Sequence, residues 1–286
     1  CFAVTVKGNV LRSFPIVPGI DLAGVVEDAG ESTKFKAGDQ VFVTGWGVGE
    51  QVSGGYAGFA KVKPEWAELI PEGLSAMHCM ALGTAGFTAM LATLALEDHK
   101  VRTDSGPVLV TGASGGVGSI AISILAKRQY KVVASTGRIE EQGDYLKSLG
   151  ASEIIHREEL SSPSGRPLDS ERWAGAIDSV GGETLASILR QTQYRGSVAA
   201  CGLAGGASLP STVLPFILRG VNLLGIDSVM CPSWLRKRAW SRMSEDIDLK
   251  TLEQLIQVIP LDAVPDAAKQ ILAGKIRGRI VGDMNL

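Results

Sequence analysis

Between residues 108 and 226 the sequence alternates short apolar runs with helical segments, and this pattern constrains the fold more than any other feature. The predicted strands are 108–111, 131–135, 153–155, 174–178, 197–201 and 221–226. Strands of this length that are separated by helices form βαβ units, whose parallel strands are buried on both faces. The pattern therefore predicts an α/β fold with a doubly wound parallel sheet of the Rossmann type.

The flanking sequence has different periodicities. Residues 16–70 contain short alternating runs at 24–27, 40–43 and 59–62 that are interrupted by glycines. This pattern predicts a compact, mostly antiparallel β domain. Residues 233–273 have helical character with Pro260 and Pro265 as breakers, and residues 279–281 are predicted to form a last strand.

The turn after the first predicted strand of the parallel sheet has the sequence of a dinucleotide-binding turn. Gly112, Gly115 and Gly118 follow the strand at three-residue spacing, and a helix follows them. Residues without Cβ allow a tight turn and a close approach to a pyrophosphate, while the helix N-terminus offers free N–H groups. We therefore predict a nucleotide site here, with a purely structural turn as the alternative.

The residues after the second predicted strand favour NADP (NADPH) over NAD. An NAD site commonly carries an acidic residue about 20 positions beyond the glycines. Here the strand runs into Thr136, Gly137 and Arg138, and the first acid is Glu140. Hydroxyl and guanidinium groups suit a 2′-phosphate. Arg138 is predicted to bind the 2′-phosphate; the alternative is a solvent-exposed arginine at the start of a helix. Arg157 is predicted to reach the same phosphate; the alternative is a solvated charge in a loop.

The composition limits the classes of function. Lys and Arg total 28 against 30 for Asp and Glu, so a general nucleic-acid binder is not expected. The sequence contains no uninterrupted run of 18 apolar residues, so no membrane partner is expected.

Cys1, Cys79, Cys201 and Cys231 have no CxxC spacing. With no signal peptide in the sequence, we predict a cytoplasmic protein; a targeting peptide before Cys1 is the alternative.

Two N-terminal motifs resemble the medium-chain dehydrogenase/reductase superfamily, namely PGIDLAGVV at 18–26 and FKAGDQV at 35–41. In its zinc alcohol dehydrogenases the positions of Ile20 and Asp21 carry His and Glu. His78, His99 and His156 have no paired metal spacing either. The resemblance therefore implies that there is no catalytic zinc. Without a Lewis acid, reduction of an activated C=C bond is expected rather than alcohol–carbonyl chemistry.

Longer motifs are similar to the zinc-free, quinone-oxidoreductase-like branch, and more specifically to NADPH-dependent acrylyl-CoA reductases. They are RSFP at 12–15, TGWGVGE at 44–50, GGYA at 54–57, GTAGFTAML at 83–91, PFILRG at 215–220 and GIDSV at 225–229. The resemblance implies NADPH-dependent reduction of acrylyl-CoA to propanoyl-CoA by a homodimer that pairs through the sixth strand. It also implies that family members carry further residues before the position of Cys1, so that the chain is truncated at its N-terminus.

The resemblance also implies a domain division and a set of site residues. The divisions are a GroES-like catalytic domain at 1–83, an NADP-binding Rossmann domain at 84–228 and a return segment at 229–286 that completes the first domain. Tyr56 is a candidate proton donor or substrate contact, and Thr84 a candidate substrate or carboxamide contact; a packed tyrosine and a helix N-cap are the alternatives. The implied cofactor residues are Ser114, Gly115, Gly116, Val117, Thr136, Gly137, Arg138, Arg157, Leu203, Ile217 and Ser228. Of these, Leu203 and Ser228, which follow the fifth and sixth strands, would lie near the nicotinamide half of the cofactor.

Two questions stay open at this point. A basic stretch with two tryptophans is expected to be a solvated helix face, with coenzyme A binding as the alternative; it contains Trp234, Arg236, Lys237, Arg238, Trp240 and Arg242. A quinone or 2-alkenal reductase on the same scaffold, and a non-catalytic NADPH-binding protein, are the rival functions.

Overall fold

The computed structural model describes residues 3–5, 11, 14–161 and 166–286. Cys1 and the first two positions of the 12–15 motif, Arg12 and Ser13, lie outside the described residues. The helices and strands of the described part are, in chain order, β1 Asp21–Val25, β2 Gln40–Thr44, β3 Glu68–Leu69, α1 Ala76–Asp98, β4 Val108–Val110, α2 Gly116–Lys127, β5 Val132–Thr136, α3 Ile139–Ser148, β6 Glu153–His156, β7 Trp173–Asp178, α4 Gly182–Gln191, β8 Thr192–Ala200, α5 Leu214–Arg219, β9 Asn222–Gly225, α6 Ser233–Asp246, α7 Leu249–Gln254, β10 Ile256–Pro260, α8 Val264–Leu272 and β11 Arg279–Asp283.

Six of these strands form a parallel sheet in the order β6-β5-β4-β7-β8-β9. This is the doubly wound order, so the predicted Rossmann architecture is confirmed. The order reverses between β4 and β7, and ligands of such sheets bind beyond the carboxyl ends of the strands at this reversal. The glycine-rich turn leaves β4 at this point.

The helices of this unit cover the sheet and bury its apolar side chains. Helix α2 packs on β4 and β5, α3 on β5 and β6, and α4 on β7 and β8. The central strands are apolar along their whole length because parallel strands are buried on both faces. One buried cluster joins Leu109, Val133, Trp173, Ile188 and Val198 from strands and helices of this unit.

The N-terminal β-strands form a small antiparallel sheet in the order β1-β2-β3, as the GroES-like prediction requires. Its core contains Phe35, Val41 and Val43. The predicted strand at 59–62 was wrong, because these residues join no strand ladder. Phe59 is 79% exposed, so the apolar alternation there has no sheet face to fill. The short β3 is instead the third strand of this sheet and pairs with β2.

The helical interpretation of residues 233–273 was wrong in its middle. Strand β10 interrupts the helices and pairs in parallel with β11, from Ile256 opposite Arg279 to Pro260 opposite Asp283. The segment from Ile256 to Ile259 has apolar residues at every second position or closer, which fits a strand better than the helical period.

The chain divides into two compact units, each formed by segments that are separate in sequence. The first contains residues 1–84, 228–244 and 252–286, and the second contains 85–227 and 245–251. Helix α1 is long and apolar enough to cross a membrane by length and composition, but 78% of its most apolar window is buried, as in a core helix.

Candidate functional site

The turn from β4 into α2 has the backbone geometry of an anion site. Gly112 has a φ of +56°, and a Cβ on Gly118 would lie 2.4 Å from the Gly112 carbonyl oxygen, so both positions require glycine. Helix α2 begins at Gly116, and no described side chain caps it. The first N–H groups of a helix have no partner within the helix. The segment Ser114–Val117 therefore fits a dinucleotide phosphate.

A buried carboxyl group holds this turn against the end of β7. Thr111 donates its hydroxyl hydrogen to Asp178 Oδ1 at 2.5 Å, and Asp178 Oδ2 accepts from the Gly181 N–H at 2.8 Å. Burial raises the pKa of Asp178, while these hydrogen bonds act in the opposite direction. The two turns at the reversal of strand order are thus fixed before any ligand binds.

Four of the predicted cofactor residues lie together at the ends of β5 and β6. A Cβ on Gly137 would lie 2.6 Å from Arg157 Nε, so the Arg157 guanidinium rests on the Gly137 backbone. The Arg138 N–H donates to Thr136 Oγ1 at 3.2 Å, which bends the chain into α3. The two arginines therefore lie on the connections that follow β5 and β6, at the carboxyl edge of the sheet, and a guanidinium is a group that suits a phosphate.

The remaining predicted cofactor residues are spread over both units. Leu203 follows β8 and is 66% exposed, and Ile217 lies on α5 and is 67% exposed. Both belong to the second unit, whereas Ser228 belongs to the first. Ser228 is partly buried, and its carbonyl oxygen accepts a hydrogen bond from Arg236 Nη2 at 3.0 Å.

In the first unit, Asp21 binds the start of a helical segment at Thr84. Both carboxylate oxygens lie 3.0 Å from the Thr84 backbone nitrogen, and the Thr84 hydroxyl donates to Oδ1 at 2.5 Å. Gly83 interrupts α1 with a φ of +51° and a ψ of −157°, so the helix restarts at Thr84. A Cβ on Gly83 would lie 2.6 Å from Asp21 Oδ2, so only glycine admits the carboxylate here.

Arg279 and Tyr56 complete this cluster. Arg279 donates to the carbonyl oxygens of Ala81 and Leu82, and its Nη2 lies near the same face of Gly83. Burial raises the pKa of Asp21, and the Thr84 hydrogen bonds and the Arg279 charge oppose that rise. Burial and the charge of Asp21 raise the pKa of Tyr56. The phenol therefore keeps its proton at neutral pH.

The sequence alone did not identify Asp21 or Arg279 as functional candidates. Asp21 was noted only because the zinc alcohol dehydrogenases carry Glu at its position, although an acid within an apolar run was a usable signal. Thr84 does begin a helical segment, but its hydroxyl hydrogen is directed to Asp21. Among the described residues, no group of three or more His, Cys, Asp or Glu side chains could hold a metal ion.

The basic stretch on α6 was misinterpreted as a solvated face. Arg236 is 2% exposed and Trp240 is also buried, because both side chains point into the first unit. The Trp240 ring packs edge-on against Phe42, with ring centroids 4.4 Å apart. Lys237 and Trp234 are exposed, as predicted.

Comparison with known proteins gives the family. The profile of the alcohol dehydrogenase GroES-like domain matches residues 3–72, and that of the zinc-binding dehydrogenases matches residues 116–246. The acrylyl-CoA reductase AcuI of Ruegeria pomeroyi is 54% identical over 278 residues, covering 97% of this chain and 84% of that protein. The chain belongs to the medium-chain dehydrogenase/reductase superfamily. It is therefore an oxidoreductase.

Two solved structures are also very similar to this chain. The yhdH oxidoreductase of Salmonella enterica in complex with NADP is 49% identical, with a TM-score of 0.96 over 99% of this chain and 86% of that one. YhfP of Bacillus subtilis is provisionally named a quinone oxidoreductase and is 47% identical over 96% of this chain and 83% of that protein. Its structure with NAD bound has 45% identity and a TM-score of 0.95, over 99% of this chain and 87% of that one.

Proposed function

We propose that this chain is an NADPH-dependent reductase of an activated C=C bond, with acrylyl-CoA as substrate and propanoyl-CoA as product. The observation that carries the proposal is the pair of arginines, Arg138 and Arg157, on the connections that follow β5 and β6. No acidic side chain follows β5 where an NAD site commonly has one. The similarity to the Ruegeria acrylyl-CoA reductase along 97% of the chain supports the substrate.

The reaction balances without a metal ion. NADPH, when bound, would supply a hydride, whose electron pair would form the new C–H bond at the β-carbon. The π electrons of the C=C bond move toward the α-carbon and the thioester carbonyl, and a proton then adds at the α-carbon. The products are NADP⁺ and propanoyl-CoA. Conjugation with the carbonyl disperses the charge, so the protein mainly has to align donor and acceptor.

The residues of the first unit agree with metal-free chemistry. Asp21, at the position where the zinc enzymes carry Glu, accepts hydrogen bonds from Thr84. Tyr56 keeps its proton at neutral pH and is the candidate donor to the α-carbon; water is the alternative donor. We assign the glycine turn, Arg138 and Thr84 to an NADP-binding domain at 84–228, and Tyr56 to a catalytic domain formed by 1–83 and 229–286.

The test of function follows the loss of reduced nicotinamide absorbance with three acceptors: acrylyl-CoA, crotonyl-CoA and a benzoquinone. We expect turnover with acrylyl-CoA to exceed turnover with the other two, and NADPH to be preferred over NADH. Turnover with the benzoquinone and not with acrylyl-CoA would contradict the proposal and favour a quinone reductase, as the name of the relative YhfP suggests. NADPH binding without turnover of any acceptor would favour a non-catalytic protein.

A homodimer formed through β9 is the proposed assembly. This strand lies at the edge of the six-stranded sheet, where apolar residues and free backbone groups favour pairing with a second copy. We expect light scattering to give twice the chain mass of 30.0 kDa and the variant Leu223→Glu to shift the protein toward monomer. A wild-type monomer would contradict this prediction.

The cytoplasmic location also stays a proposal. Cys79, Cys201 and Cys231 are all free thiols in the structure, which suits a reducing compartment. Localisation of the tagged full-length protein in its native cell would test it, and recovery from an oxidising compartment would contradict it.

A further inference from the structure

Arg236 is a buried cation with an unusually complete set of acceptors. Its Nε donates to the Cys231 carbonyl at 3.2 Å. Nη1 donates to the Thr44 carbonyl at 2.8 Å and to the Thr44 hydroxyl at 3.0 Å. Nη2 donates to the carbonyls of Ser228 and Val229 at 3.0 and 2.9 Å. A guanidinium has five N–H hydrogens, and these five bonds use one each.

These bonds join two segments of the first unit that are far apart in sequence. One is the end of β2 at Thr44, and the other is the segment 228–231 before α6. The Trp46 N–H also donates to the Val229 carbonyl at 3.0 Å, and the Trp46 ring lies 4.5 Å from the Arg236 guanidinium carbon. The two backbones approach so closely that a Cβ on Gly45 would lie 2.9 Å from the Val229 oxygen.

We propose that Arg236 is a positioning residue that fixes the backbone of Ser228 and Val229 for the nicotinamide half of the cofactor. This inference rests on the proposed function, because Ser228 has a role beside the nicotinamide only if the chain binds NADPH as proposed. Arg236 is 2% exposed, and its guanidinium donates to backbone carbonyls of both segments. It acts on the reaction through the segment that it holds.

The choice of arginine over an apolar residue supports a role in orientation. Burying a cation carries a large desolvation cost, and a protein with an apolar side chain of similar volume at the same position is often at least as stable. A planar fork of five donors, however, binds carbonyls from several directions at once, which neither methionine nor lysine can do. The charge has a second effect, because it lowers the pKa of Asp21 in the cluster with Thr84 and Tyr56.

The deciding variant is Arg236→Lys, compared with Lys237→Ala, which removes an exposed charge from the neighbouring position of α6. For Arg236→Lys we expect the NADPH dissociation constant to stay within about threefold of wild type, since other residues bind the 2′-phosphate. The fluorescence lifetime of bound NADPH should shorten, because the nicotinamide ring is less restrained. The kcat should fall about tenfold or more, with a larger isotope effect from deuterated NADPH. Lys237→Ala should match wild type in all of these.

A purely structural role predicts a different outcome. In that case Arg236→Lys would lower the Tm but leave the lifetime and the kcat per folded molecule unchanged, and this result would overturn the proposal. If Arg236→Lys does not fold, Thr44→Val removes one of the five bonds and should shorten the NADPH lifetime in the same direction by a smaller amount; an unchanged lifetime would contradict the proposal.

The readouts also separate this inference from the proposed function. If wild type binds NADPH but reduces no enoyl-CoA, the proposed function fails while the lifetime comparison still decides the role of Arg236. If wild type does not bind NADPH, both are overturned.

Discussion

Replacing Arg138 with alanine is expected to raise the dissociation constant for NADPH about 10- to 100-fold while changing that for NADH less than about threefold. A hydrogen bond to a charged group contributes roughly 1.5–3 kcal/mol, and each 1.4 kcal/mol is about a factor of ten in affinity. NADH lacks the 2′-phosphate, so it loses no such contact. Fluorescence titration of both cofactors measures the ratio.

Two further variants sharpen this test. Arg157→Ala should weaken NADPH binding in the same sense, and because its guanidinium rests on Gly137 beside Arg138, the two losses should not simply add. Lys147→Ala removes an exposed positive charge from the last turn of α3, the helix that begins directly after Arg138. This variant should leave the ratio of the NADPH and NADH dissociation constants unchanged. Equal losses for NADPH and NADH in Arg138→Ala would contradict the 2′-phosphate assignment.

The comparison with YhfP makes this prediction informative. That relative has NAD bound in its solved structure, whereas the Salmonella relative has NADP, and both resemble this chain almost equally. Overall similarity by itself therefore does not discriminate between the two cofactors. The discrimination is expected to come from the arginines that follow β5 and β6.

The parallel sheet could be predicted from the sequence because its signals are local. An apolar strand, a glycine-rich turn and a helix follow one another between residues 108 and 127, and each step has its own residue preference. The order of the strands then follows from the doubly wound topology. The two arginines were identified for the same reason, since each lies within a few residues of a strand end.

The first unit was harder to predict because its contacts join distant segments. Asp21 binds Thr84 across 63 positions, and Arg236 binds Thr44 across 192. Hydrophobic periodicity does not encode such pairs, and a charge pattern alone made Arg236 resemble a surface residue. The predictions for residues 59–62 and 256–260 were wrong for a related reason. A short alternating run becomes a strand only where a partner strand lies beside it, which is the case for 256–260 and not for 59–62.

Replacing Asp21 with alanine is expected to lower the free energy of unfolding by about 3 kcal/mol, because it removes the acceptor of both the Thr84 backbone N–H and the Thr84 hydroxyl, beside Arg279. At roughly 2–4 °C per kcal/mol for a chain of this size, the Tm should fall by several degrees. Asp28→Ala, which removes an exposed carboxylate with one hydrogen bond, to the Gly30 N–H, is the matched control and should cost much less. A loss in Asp21→Ala no larger than in Asp28→Ala would show that the Thr84 bonds contribute little.

A double-mutant cycle with Thr84→Val would isolate the side-chain bond between Asp21 and Thr84. We expect a coupling energy of about 1 kcal/mol or more, because the hydroxyl donates to a carboxylate in a partly buried site. Additive losses would mean that Asp21 stabilises the fold through the Thr84 backbone N–H and Arg279 rather than through the hydroxyl.

The pH dependence of Asp21→Asn tests the electrostatics of the same cluster. Burial raises the pKa of Asp21 above its ordinary value of 3.8, so between 3.8 and the raised pKa the folded state binds more protons than the unfolded state. The stability that wild type holds over Asp21→Asn should therefore decrease as the pH rises through this window and then level off. Urea unfolding of both proteins from acidic to neutral pH measures the difference. If the advantage of wild type grows with pH instead, the Thr84 bonds and the charges of Arg279 and Arg236 outweigh burial, and Asp21 is an ion-pair partner rather than a carboxyl group that burial holds protonated.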